Sequence, residues 1–221
     1  MLIPLRSSER VYSTAKVTAG LIAVNMAIFL YQVSLPPRAL NDFVNQWGIV
    51  PDRLNLASLV TSMFLHGGWL HILGNMLFLW VFGRNVEDLI GGTRFLILYL
   101  LCGVAAAVVQ ILFNPNSRVP TIEASGAIAG IMGAYLIRFP RTRINILFFF
   151  IFITTFEIPA ALLLLYWFVL QFVSGFESLG EADYTGGGVA WFAHVGGFIA
   201  GMLLIRLFPD HRKWRTWYSD E

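Results

Sequence analysis

The run "PTIEASGAIAGIMGAY" occupies residues 120–135, and the role given to its serine decides what kind of molecule this is. Gly126, Gly130 and Gly133 follow helical spacing within it. A helix faced with such small residues lets a neighbouring backbone approach closely in lipid. A serine in that setting is ordinarily a packing residue. Ser125 becomes a nucleophile only if another part of the chain brings a base within hydrogen-bond reach. Glu123, two residues earlier, places a carboxylate at the mouth of the same helix.

Composition narrows the setting. The 221 residues are 57% hydrophobic and 13% charged, against about 25% charged in a soluble domain. This is the balance of a membrane protein. The net charge is +2, and the basic residues are scattered between apolar segments rather than massed on one face, which argues against nucleic acid as a partner. The single cysteine, Cys102, lies inside an apolar run. It excludes an internal disulfide and a cysteine metal site, and no cofactor is implied. The first apolar segment has no clear small-residue cleavage site, so no cleavable signal peptide is expected.

Apolar segments fall at 17–33, 69–83, 95–113, 125–139, 158–175 and 191–208. A span needs about 20 apolar residues, so several are short. Glu157 and Pro159 interrupt the long run from Ile144 to Val173, which predicts an interfacial segment at 144–156 followed by a span. The expected fold is an all-α bundle of six spans with both termini on one side. With that count, Arg6, Arg10, Lys16, Arg84, Arg94, Arg138, Arg141, Arg143, Arg206, Arg212, Lys213 and Arg215 lie inside. Arg38, Arg53 and Arg118 lie outside. The asymmetry places the termini in the cytoplasm. The chain reads as a single domain over 1–221, with a short cytoplasmic segment at 1–16 and a basic cytoplasmic tail at 209–221. Residues 34–68 form a sizeable outer loop, partly in the interface, and 176–190 a mobile loop over the outer end of the last span.

Polar residues inside a membrane are costly, so each is a functional candidate. Ser125 lies 15 residues before Pro140, and His194 lies 15 before Pro209. Both helices run inward, which puts both residues roughly 22 Å above the inner boundary. His71, 13 residues before Arg84, comes out at roughly 20 Å. The three therefore share a depth. Gly197 and Gly201 form a GxxxG below His194, which permits close packing against the glycines of 126–133. A serine beside a histidine is the minimum constellation for an activated hydroxyl. His71 and Asn75 are four apart on one helix face, where both can donate hydrogen bonds to a developing oxyanion. His66 fits a loop-to-span hydrogen bond, His211 a solvated tail, and Trp69 and Trp191 interfacial anchors. The zinc-protease string HExxH is absent; the corresponding string is "HGGWLHILGN" at 66–75.

The chain resembles the rhomboid intramembrane serine proteases. The likeness is carried by "FLHGGWLHILGNMLFLWVFG" at 64–83, "ASGAIAG" at 124–130 and "AHVGGFIAG" at 193–201, and it runs over essentially all of the chain. It implies a six-helix core and an endopeptidase with a Ser–His dyad. Ser125 would be the nucleophile and His194 the general base and then acid. His71, Asn75 and the backbone amide of Ser125 would form the oxyanion hole. The implied substrates are transmembrane proteins cut near the top of a span, and the implied surroundings are the lipid bilayer. A prokaryotic plasma membrane is the expected location.

Two positions depart from the family pattern. Glu123 stands where the GxSG motif has its first glycine, and Ala129 stands where an aromatic residue often lies under the histidine. Glutamate brings bulk and charge, so an alternative function is a rhomboid-like protein that binds membrane proteins without cutting them. A small transporter or channel is a third reading, disfavoured because no repeat-related halves are present.

Overall fold

The computed structural model describes residues 2–149, 153–178 and 190–211. Most of the loop expected over the last span, and the tail beyond His211, fall outside these residues. The order is β1 (Leu2–Ser7), α1 (Lys16–Ser34), α2 (Pro37–Trp47), α3 (Ser58–Thr61), α4 (Trp69–Phe78), α5 (Arg84–Ile90), α6 (Gly92–Phe113), α7 (Ala124–Arg138), β2 (Arg143–Phe149), β3 (Ile153–Pro159), α8 (Ala160–Ser178) and α9 (Trp191–Leu204). A π-helical turn, Leu79–Gly83, joins α4 to α5 without a break.

Each of the six apolar segments falls chiefly on a helix. Among the described residues, three helices are long and apolar enough to cross a membrane: Lys16–Ser34, Gly92–Phe113 and Ala160–Glu177. Ser58–Phe64 and Trp69–Ile90 form a further apolar pair, bent by 97°. The helices α7 and α9 are shorter. Of α7, Ala124 and every residue from Gly126 to Leu136 are buried, and a helix that is apolar all round belongs in an interior. Protein rather than lipid surrounds it, so its 15 residues need not match the bilayer.

Glycine lets α7 and α9 meet. A Cβ at Gly201 would overlap the carbonyl oxygen of Gly130, one at Gly197 that of Gly126, and one at Gly133 that of Phe198. At the other end, Arg138 donates from Nη2 to the carbonyls of Ile205 and Phe208, at 3.0 and 2.6 Å. A cation there also favours the C-terminal end of the α9 helix.

The helix α1 has no side-chain cap of its own; its N-cap, Ala15, is left-handed at φ 45°. Glu87 of α5 supplies the missing acceptors. Its oxygens take the amides of Val17 and Thr18 at 2.9 and 2.7 Å and the Thr18 hydroxyl at 2.7 Å. A carboxylate from another helix thereby does the work of an N-cap. The backbone of His211 donates to the Leu89 carbonyl at 2.6 Å, and its ring lies against Gly91. His211 is thus half-buried against the bundle rather than part of a solvated tail.

The expectation of an all-α molecule is corrected by an antiparallel sheet of order β1-β2-β3. The segment expected at 144–156 as interfacial chain supplies β2 and part of β3, with register running from Arg143↔Pro159 to Phe149↔Ile153. The N-terminal segment, read from the sequence only as a short stretch at 1–16, adds β1, pairing Leu2 with Phe148 and Ser7 with Ile144. Isoleucine, threonine and phenylalanine favour strand geometry over helix. Alternation then buries Ile144 and Ile146 while Asn145 and Leu147 stay half-exposed. A 2.7 Å hydrogen bond between Ser7 Oγ and the Tyr135 hydroxyl ties the sheet to α7.

The segment between α1 and α4 positions the start of α7. Ile49 and Thr121 exchange backbone hydrogen bonds at 3.0 and 2.8 Å, Asp52 N–H donates to the Ser117 carbonyl, and Glu123 N–H donates to the Ser62 carbonyl at 3.0 Å. The residues leading into Ser125 are therefore held by backbone groups from the 49–62 region.

Gly201→Ala should force α7 and α9 apart. A loss of about 1–3 kcal/mol or more, the usual range for overpacking, is expected as a lower unfolding temperature in detergent. A variant as stable as the parent would contradict backbone contact between these helices.

Candidate active site

Ser125 lies in the first turn of α7 and His194 in the first turn of α9. The glycine contact sets their meeting. Gly126 follows Ser125 directly, and Gly197 comes one turn after His194; these two glycines touch across the helix pair. Their contact carries the imidazole to the hydroxyl, with His194 Nε2 2.7 Å from Ser125 Oγ. That is an ordinary hydrogen-bond length and the separation needed for proton transfer.

A cavity of about 560 Å³ opens beside the pair. Ser125, His194, His71 and Asn75 all line it, so the structure brings together all four residues singled out from the sequence. The His71 ring accepts the Gly67 amide at Nδ1, 3.3 Å away, which leaves Nε2 to carry its proton. Asn75 Nδ2 is buried and has no hydrogen-bond partner among the described residues. An unused buried donor costs free energy, and here it lies at the wall of a cavity that can receive an acceptor.

The other ring nitrogen of His194 is also occupied. Gln171, on α8, places Oε1 2.5 Å from Nδ1. Trp167, one turn earlier on the same helix, packs its ring against the imidazole at a centroid distance of 5.6 Å. The aromatic support that Ala129 does not supply from α7 thus comes from α8. Trp191 approaches His194 edge-on at 6.2 Å; it lines the cavity rather than acting only as an interfacial anchor. Sequence reasoning missed Gln171 and Trp167. The available signal was a glutamine alone in an apolar span, four residues after a tryptophan.

Glu123 neither turns to solvent nor reaches the histidine. Its side chain is fully buried, it does not line the cavity, and among the described residues neither oxygen has a hydrogen-bond partner. Thr121 is a nearby hydroxyl, but it donates to the Ile49 carbonyl at 3.3 Å. The carboxyl sits against Gly126, where a Cβ would come within 3.1 Å of Oε2. The Glu123 backbone carbonyl accepts the amides of Gly126 and Ala127 at 3.1 and 3.4 Å, beginning α7.

His66 does make a loop-to-span link, through its backbone. Its amide donates to Gln32 Oε1 at 3.1 Å, and its carbonyl accepts from Gln32 Nε2 at 3.2 Å. The His66 ring packs edge-on against Phe29 and His71 at 6.4 and 5.3 Å. It therefore supports the wall behind His71.

Residues 53–210 match the Rhomboid domain, and the chain belongs to the rhomboid family. It is 27% identical over 190 residues to Rhomboid protein 1, mitochondrial, of Saccharomyces cerevisiae, covering 83% of this chain and 51% of that protein. It is 33% identical over 146 residues to RHOMBOID-like protein 1 of Arabidopsis thaliana, covering 66% of this chain and 33% of that one. A shorter match, 41% identical over 78 residues, joins it to Rhomboid protease GluP of Bacillus subtilis, covering 35% of this chain and 15% of that one. The chain spans about half the length, or less, of these relatives. Family and apolar helices together make it a multi-pass membrane protein. Relatives named for mitochondria stand beside a bacterial one, so these likenesses lend no support to a prokaryotic plasma membrane in particular.

Proposed function

We propose that this rhomboid is an intramembrane serine endopeptidase that cuts transmembrane segments of other membrane proteins with a Ser–His dyad. The observation that carries the reading is the 2.7 Å contact between His194 Nε2 and Ser125 Oγ, set at the wall of a cavity large enough for water and an unwound stretch of peptide. In this reading the molecule is a single six-span domain with cytoplasmic termini. His194 Nε2 takes the Oγ proton as Oγ bonds to the scissile carbonyl carbon. The carbonyl electrons move onto oxygen. Asn75 Nδ2, His71 Nε2–H and the Ser125 amide receive that charge, and such stabilisation does more than any other single effect to speed many acyl transfers. Collapse breaks the C–N bond, and the proton held on Nε2 goes to the leaving amine. Water then repeats the cycle on the acyl-enzyme, releasing the new carboxylate and restoring Ser125.

A helical substrate hides its carbonyls in its own hydrogen bonds. It must open locally to meet Oγ, so substrates with helix-breaking residues near the top of a span are expected to be cut faster. Glycine at such a position lowers helix stability by about 1 kcal/mol.

Cleavage of a transmembrane substrate in liposomes is the test. Ser125→Ala should abolish it, and Asn75→Ala should lower kcat by about 100- to 1,000-fold, the usual worth of one oxyanion donor. Cleavage by Ser125→Ala at the parent rate would overturn the assignment.

The second reading, a rhomboid that binds membrane proteins without cutting them, draws on Glu123 in place of glycine. Its burial against Gly126 puts bulk directly behind the serine turn. A serine-directed activity probe separates the two. The peptidase reading expects the parent chain to label at a rate within a few-fold of Glu123→Gly. Strong labelling of Glu123→Gly alone would favour the silent form.

A further inference from the structure

We infer that Gln171 is a positioning residue for His194: its side-chain oxygen holds the proton on Nδ1, so that Nε2 presents its lone pair to Ser125. The inference rests on the proposed peptidase reading for its purpose, but not for its physical content.

A neutral imidazole has one N–H and one lone pair, and they exchange places between tautomers. Only one tautomer can take the Ser125 proton, namely that with Nδ1–H and a free Nε2. The other would donate from Nε2 to Oγ and leave the serine with its proton. Something must select between them. The candidates within reach of Nδ1 reduce to one described side chain, Gln171, whose Oε1 lies 2.5 Å away. An amide oxygen only accepts, so in this orientation the proton belongs on Nδ1. If the amide were turned over, its NH₂ would donate to Nδ1 and impose the unproductive tautomer. The orientation of one glutamine therefore determines whether the dyad is competent.

The helix that carries Gln171 is shaped for this contact. Trp167, Gln171 and Gly175 recur every four residues, forming one stripe along α8. Their neighbours Leu170, Phe172, Val173 and Phe176 are exposed and apolar, as a lipid-facing surface requires. Gln171 is 8% exposed. At Gly175, a Cβ would come within 3.3 Å of Trp191 Cβ and 3.4 Å of the Phe192 ring. The glycine lets α8 close onto the first turn of α9, where His194 lies. Trp167 lies against both the imidazole, at 5.6 Å, and Phe198, at 6.0 Å, which restricts rotation of the ring. A glutamine placed there for packing alone would carry a desolvation cost that leucine avoids. Its amide finds its use at Nδ1.

The test combines a spectrum with kinetics. Nitrogen-15 histidine spectra of the full chain in detergent report the tautomer directly, with the His194 signals assigned by their loss in His194→Ala. The parent should show Nδ1 protonated and Nε2 bare. Gln171→Met keeps the size and removes the acceptor, and should give a mixture of tautomers. Gln171→Glu keeps an acceptor and should retain the parent tautomer. In the cleavage assay, Gln171→Met should lower kcat roughly tenfold, the worth of one neutral hydrogen bond, with KM unchanged, and Gln171→Glu should restore it to within a few-fold. A parent ring protonated on Nε2 overturns the inference, even if no variant folds. So does a Gln171→Met protein with the parent's tautomer and the parent's kcat. Ser125→Ala retaining cleavage would instead overturn the peptidase reading. The tautomer measurement stands whichever way that falls, because it requires no turnover.

Discussion

The rest of this structure depends on backbone touching backbone between α7 and α9. Lipid gives apolar side chains no reason to leave it, so helices in a membrane associate through close packing and polar contacts. Here glycine carbonyls of α7 lie where side chains on α9 would have to be. That contact permits one register only. A shift by a residue would set a Cβ against a carbonyl and carry His194 around the helix, away from Ser125. The fold and the dyad are consequences of the same contact.

The neighbouring elements hold the two helices in place from outside. The backbone exchanges at Ile49–Thr121 and Ser62–Glu123 fix the entry to α7. Arg138 fastens its exit to the end of α9. Glu87 anchors α1 through three hydrogen bonds. These contacts satisfy backbone donors and acceptors at helix ends, where each unmatched group in a dry setting costs free energy.

Much of the site was legible in the sequence. Ser125 and His194 lie equally far from prolines that end their helices, so counting residues gave their common depth, and the glycines gave the closeness. His71 and Asn75 followed from four-residue spacing. What was not legible depends on partners far away in the chain. The sheet joins residues beside the N-terminus to the segment after α7; Ser7 and Tyr135 are 128 apart, and neither segment announces its partner. Glu157 and Pro159 separate the stretch at 144–156 from the following span without revealing a strand. Gln171 was passed over because a lone glutamine hardly lowers the apolar character of a span. Glu123 reads as bulk and charge in place of the motif's glycine, with no sign of where its carboxyl would lie; it ends up behind the serine turn rather than in the cavity.

On the proposed peptidase reading, the choice of an amide beside the histidine fits where the pair sits. Secreted serine proteases set a buried aspartate against the outer ring nitrogen. The same carboxylate on α8 would be carried by a helix whose other faces meet lipid, and a charge at that depth is expensive unless it is fully paired. Glutamine offers the same acceptor oxygen without the charge. It gives up the electrostatic support that an aspartate lends to an imidazolium, and it keeps the geometric part, the choice of tautomer and the heading of the ring. In that reading the short-lived imidazolium is left to the cavity itself, whose wall includes Ser125 and Trp167; the Trp167 ring lies 5.6 Å from the imidazole, and an aromatic ring attracts cations. On the proposed peptidase reading, a dyad with a neutral third partner is a physically consistent arrangement for catalysis within a bilayer, rather than a triad with a member missing.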